Sequence, residues 1–184
     1  MGQDWQRQTM KLPKNHGWKS KPGYQIFVAD RGAVRFDFPV GWEVAPGSDA
    51  IRIYDRTPPE DNCVLQFSMM RLPEGVDWSK MPVAQLLAQL AHDDERQVIQ
   101  RGEIVQVTRD DIDVAWEETN VIDAASQRPA CSRTLLARAQ NIQALITFDF
   151  WFDDLPRLAP VWDEIVRSLQ IGGQIQDPTR PISA

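Results

Sequence analysis

Residues 142–171 read IQALITFDFWFDDLPRLAPVWDEIVRSLQI, and this stretch decides the fold. Apolar side chains occupy every second position from Ile142 through Ala144, Ile146, Phe148, Phe150 and Phe152. A period of two belongs to an extended strand with one face committed to a core. The period then lengthens. Leu158, Val161, Trp162, Ile165, Val166 and Leu169 form one helical stripe. Asp153 and Asp154 are candidate caps, Pro156 and Pro160 are tolerable only near the first turn, and Gly172-Gly173 is the expected stop. A buried strand that feeds directly into an amphipathic helix implies that the helix folds back on the sheet holding that strand.

Working outward from this stretch, residues 131–139 reach it through the hairpin-like turn Gln140-Asn141. Residues 112–121 carry Ile112, Val114 and Trp116 on one face and Ala115, Thr119 and Val121 on the other. Residues 104–108 precede them across Arg109-Asp110-Asp111, so four antiparallel strands run to the end of the organising strand. Before these, residues 81–101 predict a long helix, with Pro82 in its first turn and Gly102 as its stop. Its stripe is Val83, Leu86, Leu87, Leu90 and Ala91, extended by Val98 or Ile99. Asp93-Asp94-Glu95 cannot converge on one ion, because successive helical residues are about 100° apart, and they read as a solvated face. Further upstream, Leu65, Phe67 and Met69 alternate in one strand and Ile51 and Ile53 in another. Val34, Phe36 and Phe38 form a hairpin with a strand at 24–28 that presents Tyr24, Ile26 and Val28 on one face.

The chain has 184 residues, enough for one domain to bury about 70% of its unfolded surface without disulfides or metals. Residues 1–22 read as a basic, flexible arm with Trp5 and Trp18 as apolar pegs, or as a strap folded on the body. Lys11, Lys14, Lys19 and Lys21 give the arm its charge. Residues 23–171 form a single α+β domain, and residues 172–184 a flexible tail. The arm carries a net +4, which leaves −10 on the remainder of a chain whose total is −6. An acidic body repels phosphate backbones and anionic lipid, which argues against nucleic acid or a membrane surface as the main partner. No window approaches an uninterrupted membrane span and no secretory run is visible, so the expected setting is cytoplasmic. Two cysteines, Cys63 and Cys131, are too few for a disulfide framework or zinc site and read as buried thiols.

Residues that carry chemistry are sparse. The two histidines are His16 and His92, and no motif for a nucleophile surrounds any serine or either cysteine. Asp110, Asp111 and Asp113 lack the glycine and distal glutamate of a calcium loop. No cofactor, metal site or catalytic set is implied. Asp149 stands apart: it lies on the outward face of the organising strand, where a half-buried carboxylate is open to perturbation. An ion pair with Arg133 or Arg138 is the simplest role for it.

The element order, the early segment Phe36-Asp37-Phe38-Pro39-Val40-Gly41-Trp42 and the late segment Ile165-Val166-Arg167-Ser168-Leu169-Gln170-Ile171 together resemble the PsbP-like superfamily. That superfamily includes the photosystem II PsbP subunit, a Ran-binding import factor and small bacterial proteins, among them chaperone-like partners of secreted effectors. The resemblance implies an α+β fold: an antiparallel sheet of six to seven strands with two main helices packed on it. It also implies a protein-binding, non-enzymatic role. Half-wet tryptophans are the natural anchors for such a role, and Trp42, Trp78 and Trp151 are the candidates among the seven. The contrasting expectation is a small-molecule binder or hydrolase using a cleft near Asp149 or His92. Nothing in the pattern demands more than a monomer or weak dimer.

Overall fold

Strand β10 (Ile142–Trp151) lies at the centre of the molecule, with β5 (Cys63–Arg71) on one side and β9 (Pro129–Ala139) on the other, both antiparallel. In this computed structural model the described residues are 17–92, 94–107 and 109–173. Every second residue of β10 is buried, from Ile142 to Phe150, as the period of two requires. The strand ends at Trp151; Phe152 opens a short 3-10 turn and is 43% exposed, so it falls outside the alternation. Around this centre the main sheet adds β3 (Glu43–Pro46), β4 (Ile51–Tyr54), β6 (Gln97–Arg101) and β8 (Asp113–Ile122), in the order β3-β4-β5-β10-β9-β8-β6, while β7 (Val105–Val107) also pairs with β8. These eight strands exceed the expected six to seven. Two of them, β3 and β6, are additions to the strands read from sequence; β3 is short and ends in a proline, a composition that hides an edge strand.

A second sheet of three strands joins β1 (Tyr24–Ala29), β2 (Val34–Pro39) and β11 (Gln170–Ile171). It packs on the inner face of the main sheet through aromatic rings: Phe27 lies 5.1 Å and Phe36 6.0 Å from Phe67. Phe27 and Ala29 are the buried residues of β1, so its inward face is opposite to the Tyr24, Ile26 and Val28 face expected. Helix α2 (Leu155–Ser168) fills the remaining inner space with Leu158, Val161, Trp162 and Ile165. Pro156 sits in its first turn, whereas Pro160 lies inside the helix, beyond the position expected. Asp154 occupies the N-cap without a capping bond; its carboxylate accepts from Arg157 Nε instead, at 3.0 Å. Gly172-Gly173 is not the helix stop. The helix ends at Ser168, and the chain straightens at once into β11 against β2.

The largest departure concerns residues 81–101. Helix α1 covers only Val83–His92, and the residues after it return as edge strand β6. Two causes are visible. Asp94 turns the chain by accepting the Arg96 backbone N–H at 3.1 Å, the local competition with helix that aspartate offers. Val98 and Ile99 are β-branched, and the ladder to β8 pairs Val98 with Val121 and leaves Ile99 in a bulge between Val98 and Gln100. Gly102 follows β6 and donates to the Glu118 carbonyl at 2.7 Å; a Cβ there would lie 3.1 Å from that same oxygen. Helix α1 packs Val83 and Leu87 against Ala115 and Leu136 on the outer face of the main sheet. The layers are therefore α1, main sheet, then α2 with the small sheet. This is an α+β protein with a large antiparallel sheet and two helices.

Candidate functional site

Beneath α1 the outer face of the main sheet is apolar. Elsewhere β10 presents Thr147, Asp149 and Trp151, β9 presents Ser132 and Thr134, and β8 presents Glu117 and Thr119, all in register. Two arginines from β6 and the turn before it reach back over this surface. Arg96 donates to Asp94 at 2.8 and 2.9 Å and lies 3.5 Å from Asp149. Arg101 lies 3.8 Å from Asp94 and donates to Glu117 at 2.9 Å. A chain of alternating charge results: Asp149, Arg96, Asp94, Arg101, Glu117. Burial pushes the Asp149 carboxyl above the usual carboxylate range against the Ser132 hydrogen bond and the Arg96 charge. Burial likewise raises Glu117, against the Arg101 charge. Asp94 is held low, chiefly by the hydrogen bond from Arg96.

The partner of Asp149 is thus Arg96, not Arg133 or Arg138. Arg133 points inward, 7% exposed, and pairs with Glu118 at 2.7 Å. Arg138 ties β9 to the segment before α1, donating to the Trp78 and Met81 carbonyls at 2.8 Å each. His92 is exposed at the C-terminal end of α1. Among the described residues, no group of three histidine, cysteine or acidic side chains is arranged to hold a metal ion.

At the Trp151 end of β10 a cleft of about 190 Å³ opens between the starts of β5 and β9. Asp61, Asp123 and Asp149 line it, with Val64 and Trp151 as its apolar wall. The Arg128 guanidinium lies 4.4 Å over the Trp151 ring and 4.0 Å from Asp153. Asp123 accepts from the Ser126 N–H at 2.7 Å and its hydroxyl at 2.6 Å, which hold its carboxyl low.

The structure does not gather the three candidate tryptophans. Trp42 is half-buried, its ring 6.0 Å from Phe148 on the inner side. Trp78 donates Nε1 to the Pro73 carbonyl at 3.3 Å and lies beneath Arg138, beside the opposite end of β10. Gln143, which joins Arg138 there, and Trp151 are separated by roughly 25 Å of extended chain. Of the basic residues, Lys11, Lys14 and the neighbouring His16 lie outside the described residues. Lys21 stands 3.9 Å from Glu164 and over the Tyr24 ring, and Lys19 is exposed beside Trp18. Arg96 and Arg128 were not singled out by sequence reasoning; the first was hidden in the supposed helix, the second in a polar loop.

This architecture, with its small sheet and second helix closing one face of a long antiparallel sheet, is PsbP-like. The solution structure of cyanobacterial PsbP (CyanoP) from Synechocystis sp. PCC 6803 superposes with a TM-score of 0.54 at 12% identity, covering 85% of this chain and 96% of that one. LpqN of Mycobacterium tuberculosis, described as involved in cell envelope biogenesis, superposes at 0.56 with 14% identity, covering 82% and 92%. At such identities the likeness is one of fold. The sequence model of the Alr1449 family matches residues 25–175. Uncharacterized protein alr1449 of Nostoc sp. (strain PCC 7120) is 40% identical over 176 residues, 95% of this chain and 91% of its own length. The chain belongs to the Alr1449 family.

Proposed function

We propose that the chain is a non-enzymatic protein-binding module, adaptor- or chaperone-like, whose Trp151 cleft receives a basic segment of its partner. One observation carries the reading: Arg128 already lies over the Trp151 ring beside a cleft lined by three carboxylates. The surface therefore holds a guanidinium in the arrangement that a partner's arginine would adopt, and aromatic and acidic groups together favour such a cation. The acidic body supports the same choice by steering a basic partner toward it. Trp151 is the preferred anchor of the three tryptophans, because Trp42 also supports the core and Trp78 is tied down by Pro73 and Arg138.

The test uses an arginine-rich hexapeptide, with a glutamate-rich hexapeptide as control, before any capture from cytoplasmic lysate, the compartment expected from sequence. Trp151→Ala should cost about 2 kcal/mol in binding while leaving the fold intact. Binding should weaken as salt rises. Equal affinity of wild type and Trp151→Ala would remove the cleft from the interface. The contrasting reading, a hydrolase at Asp149, has its raised carboxyl in its favour. Turnover of an ester or phosphate substrate that disappears in Asp149→Asn would replace the binding module with that enzyme.

A further inference from the structure

A second cavity, of about 160 Å³, lies on the opposite side of the molecule from the Trp151 cleft in layer order. It is roofed by residues 17–19, floored by the outward face of β1 and β2, and closed by the C-terminal end of α2. Two side chains of β2 face it together. Arg35 and Asp37 are two positions apart and so share one face of the strand, about 7 Å apart along it.

Arg35 is half-buried, with its guanidinium carbon over the Trp18 ring, 4.5 Å from the centroid. Its Nε donates to Gln170 Oε1 at 2.7 Å, and one terminal nitrogen donates to the same oxygen. Gln170 is neutral. Among the described residues no carboxylate pairs with this guanidinium at ion-pair distance, and its other terminal N–H groups are left for a ligand. Arg167, by contrast, is forked by Glu164. Asp37 is 5% exposed, and among the described residues its carboxylate accepts one hydrogen bond, from the Lys21 backbone N–H at a long 3.4 Å, beside the charges of Arg35 and Arg167. Its own N–H is separately engaged by Ser168 Oγ at 2.8 Å. A guanidinium with no carboxylate at ion-pair distance and a buried carboxylate with one weak hydrogen-bond donor thus open into the same space, attracting each other across it, with Arg167 also drawing on Asp37 and Glu164 opposing it.

We propose that this cavity binds a free α-amino acid, its carboxylate forked by Arg35, its ammonium held by Asp37 and its side chain set against Trp18 and Ile26. The two charges of such a ligand complement the two under-partnered groups, so neither is brought into the cavity unmatched. The volume corresponds to roughly five water molecules, which suits a small apolar side chain. A simple carboxylate would meet Asp37 with like charge, and a simple amine would meet Arg35.

Calorimetry on the full chain with alanine, serine and valine tests this, alongside propionate and ethylamine, which carry one half of the ligand each. The amino acids should bind with Kd below about 1 mM, and each half-ligand at least about tenfold more weakly. Arg35→Gln and Asp37→Asn should each weaken amino-acid binding by about tenfold or more, with unchanged circular dichroism. Trp151→Ala should leave it unchanged, which separates this site from the peptide cleft. Propionate binding as tightly as alanine would overturn the role of Asp37. Affinity retained in both variants, or no heat from any of the three amino acids, would overturn the site.

Discussion

Phe148 is fully buried between two tryptophans. Its ring stacks on Trp162 at 6.2 Å, touches Phe150 at 4.9 Å and meets Trp42 at 6.0 Å. Phe148→Ala should therefore destabilise by about 3–5 kcal/mol, read from urea unfolding. A loss below about 1 kcal/mol would mean that the inward face of β10 is wrongly assigned. Its burial was legible because the period of two ran unbroken for the length of the strand. The same rule places Arg133 inward: it is in phase with Cys131, Leu135 and Ala137. Chemistry misled where the period did not. Pairing Arg133 with Asp149 would put it on the outer face, whereas it is carried inside by Glu118 and by the rings of Trp116, Phe150 and Trp162, 5.5 to 5.9 Å away. At the candidate site, Asp149 and Trp151 were legible from their outward phase. Arg96 was not, because its position depends on a turn that only Asp94 reveals.

Among elements, the organising strand and the helix after it were readable because each is long and strictly periodic. The segment 81–101 was not. Its apolar spacing suits a helix throughout, and pairing with β8, a contact distant in sequence, decides the state of its second half. Strand β11 has only two residues and exists because β2 offers it an edge. Residues 17–22 are likewise held by contacts distant in sequence, and from Gly17 onward they lie on the body as a strap. Ser20 Oγ donates to the Tyr24 carbonyl at 2.9 Å, and Trp18 and Lys21 contact Arg35 and Glu164. A chain begun at residue 23 should be less stable than one begun at residue 17 by about 1–2 kcal/mol, from one cation–aromatic contact and one net hydrogen bond. Identical melting of the two truncations would show that these contacts contribute nothing.

For the whole molecule, acidic side chains pull the pH dependence in two directions. Asp37, Glu117 and Asp149 are all raised, chiefly by burial. In the window between their ordinary and raised values the folded chain holds more protons than the unfolded one, so stability falls as pH rises through it. Asp94 and Glu164 are lowered by hydrogen bonds from Arg96 and Arg167. Their contribution is present above the ordinary carboxylate value and is lost as pH falls through the lowered one. Stability should therefore peak on the acid side of neutrality and drop only at strongly acidic pH. Melting temperatures across the range from about pH 8 to about pH 3 check this; a maximum at or above neutrality would contradict it. No helix among the described residues is long and apolar enough to cross a membrane.

Cys63 and Cys131 both stand opposite Phe150, one on each neighbouring strand. Two strand spacings put their Cα atoms roughly 10 Å apart, beyond the reach of a disulfide. Burial pushes the Cys131 thiol up to about 12 and the Cys63 thiol in the same direction. The fold is thus indifferent to the redox state of its surroundings, and the two sulfurs flank the central strand like seals on a closed box. A thiol reagent should find neither until β10 parts from its neighbours, and labelling should then keep time with global unfolding. Fast modification of either cysteine in the folded chain would reveal a smaller opening of the sheet at its Phe150 end.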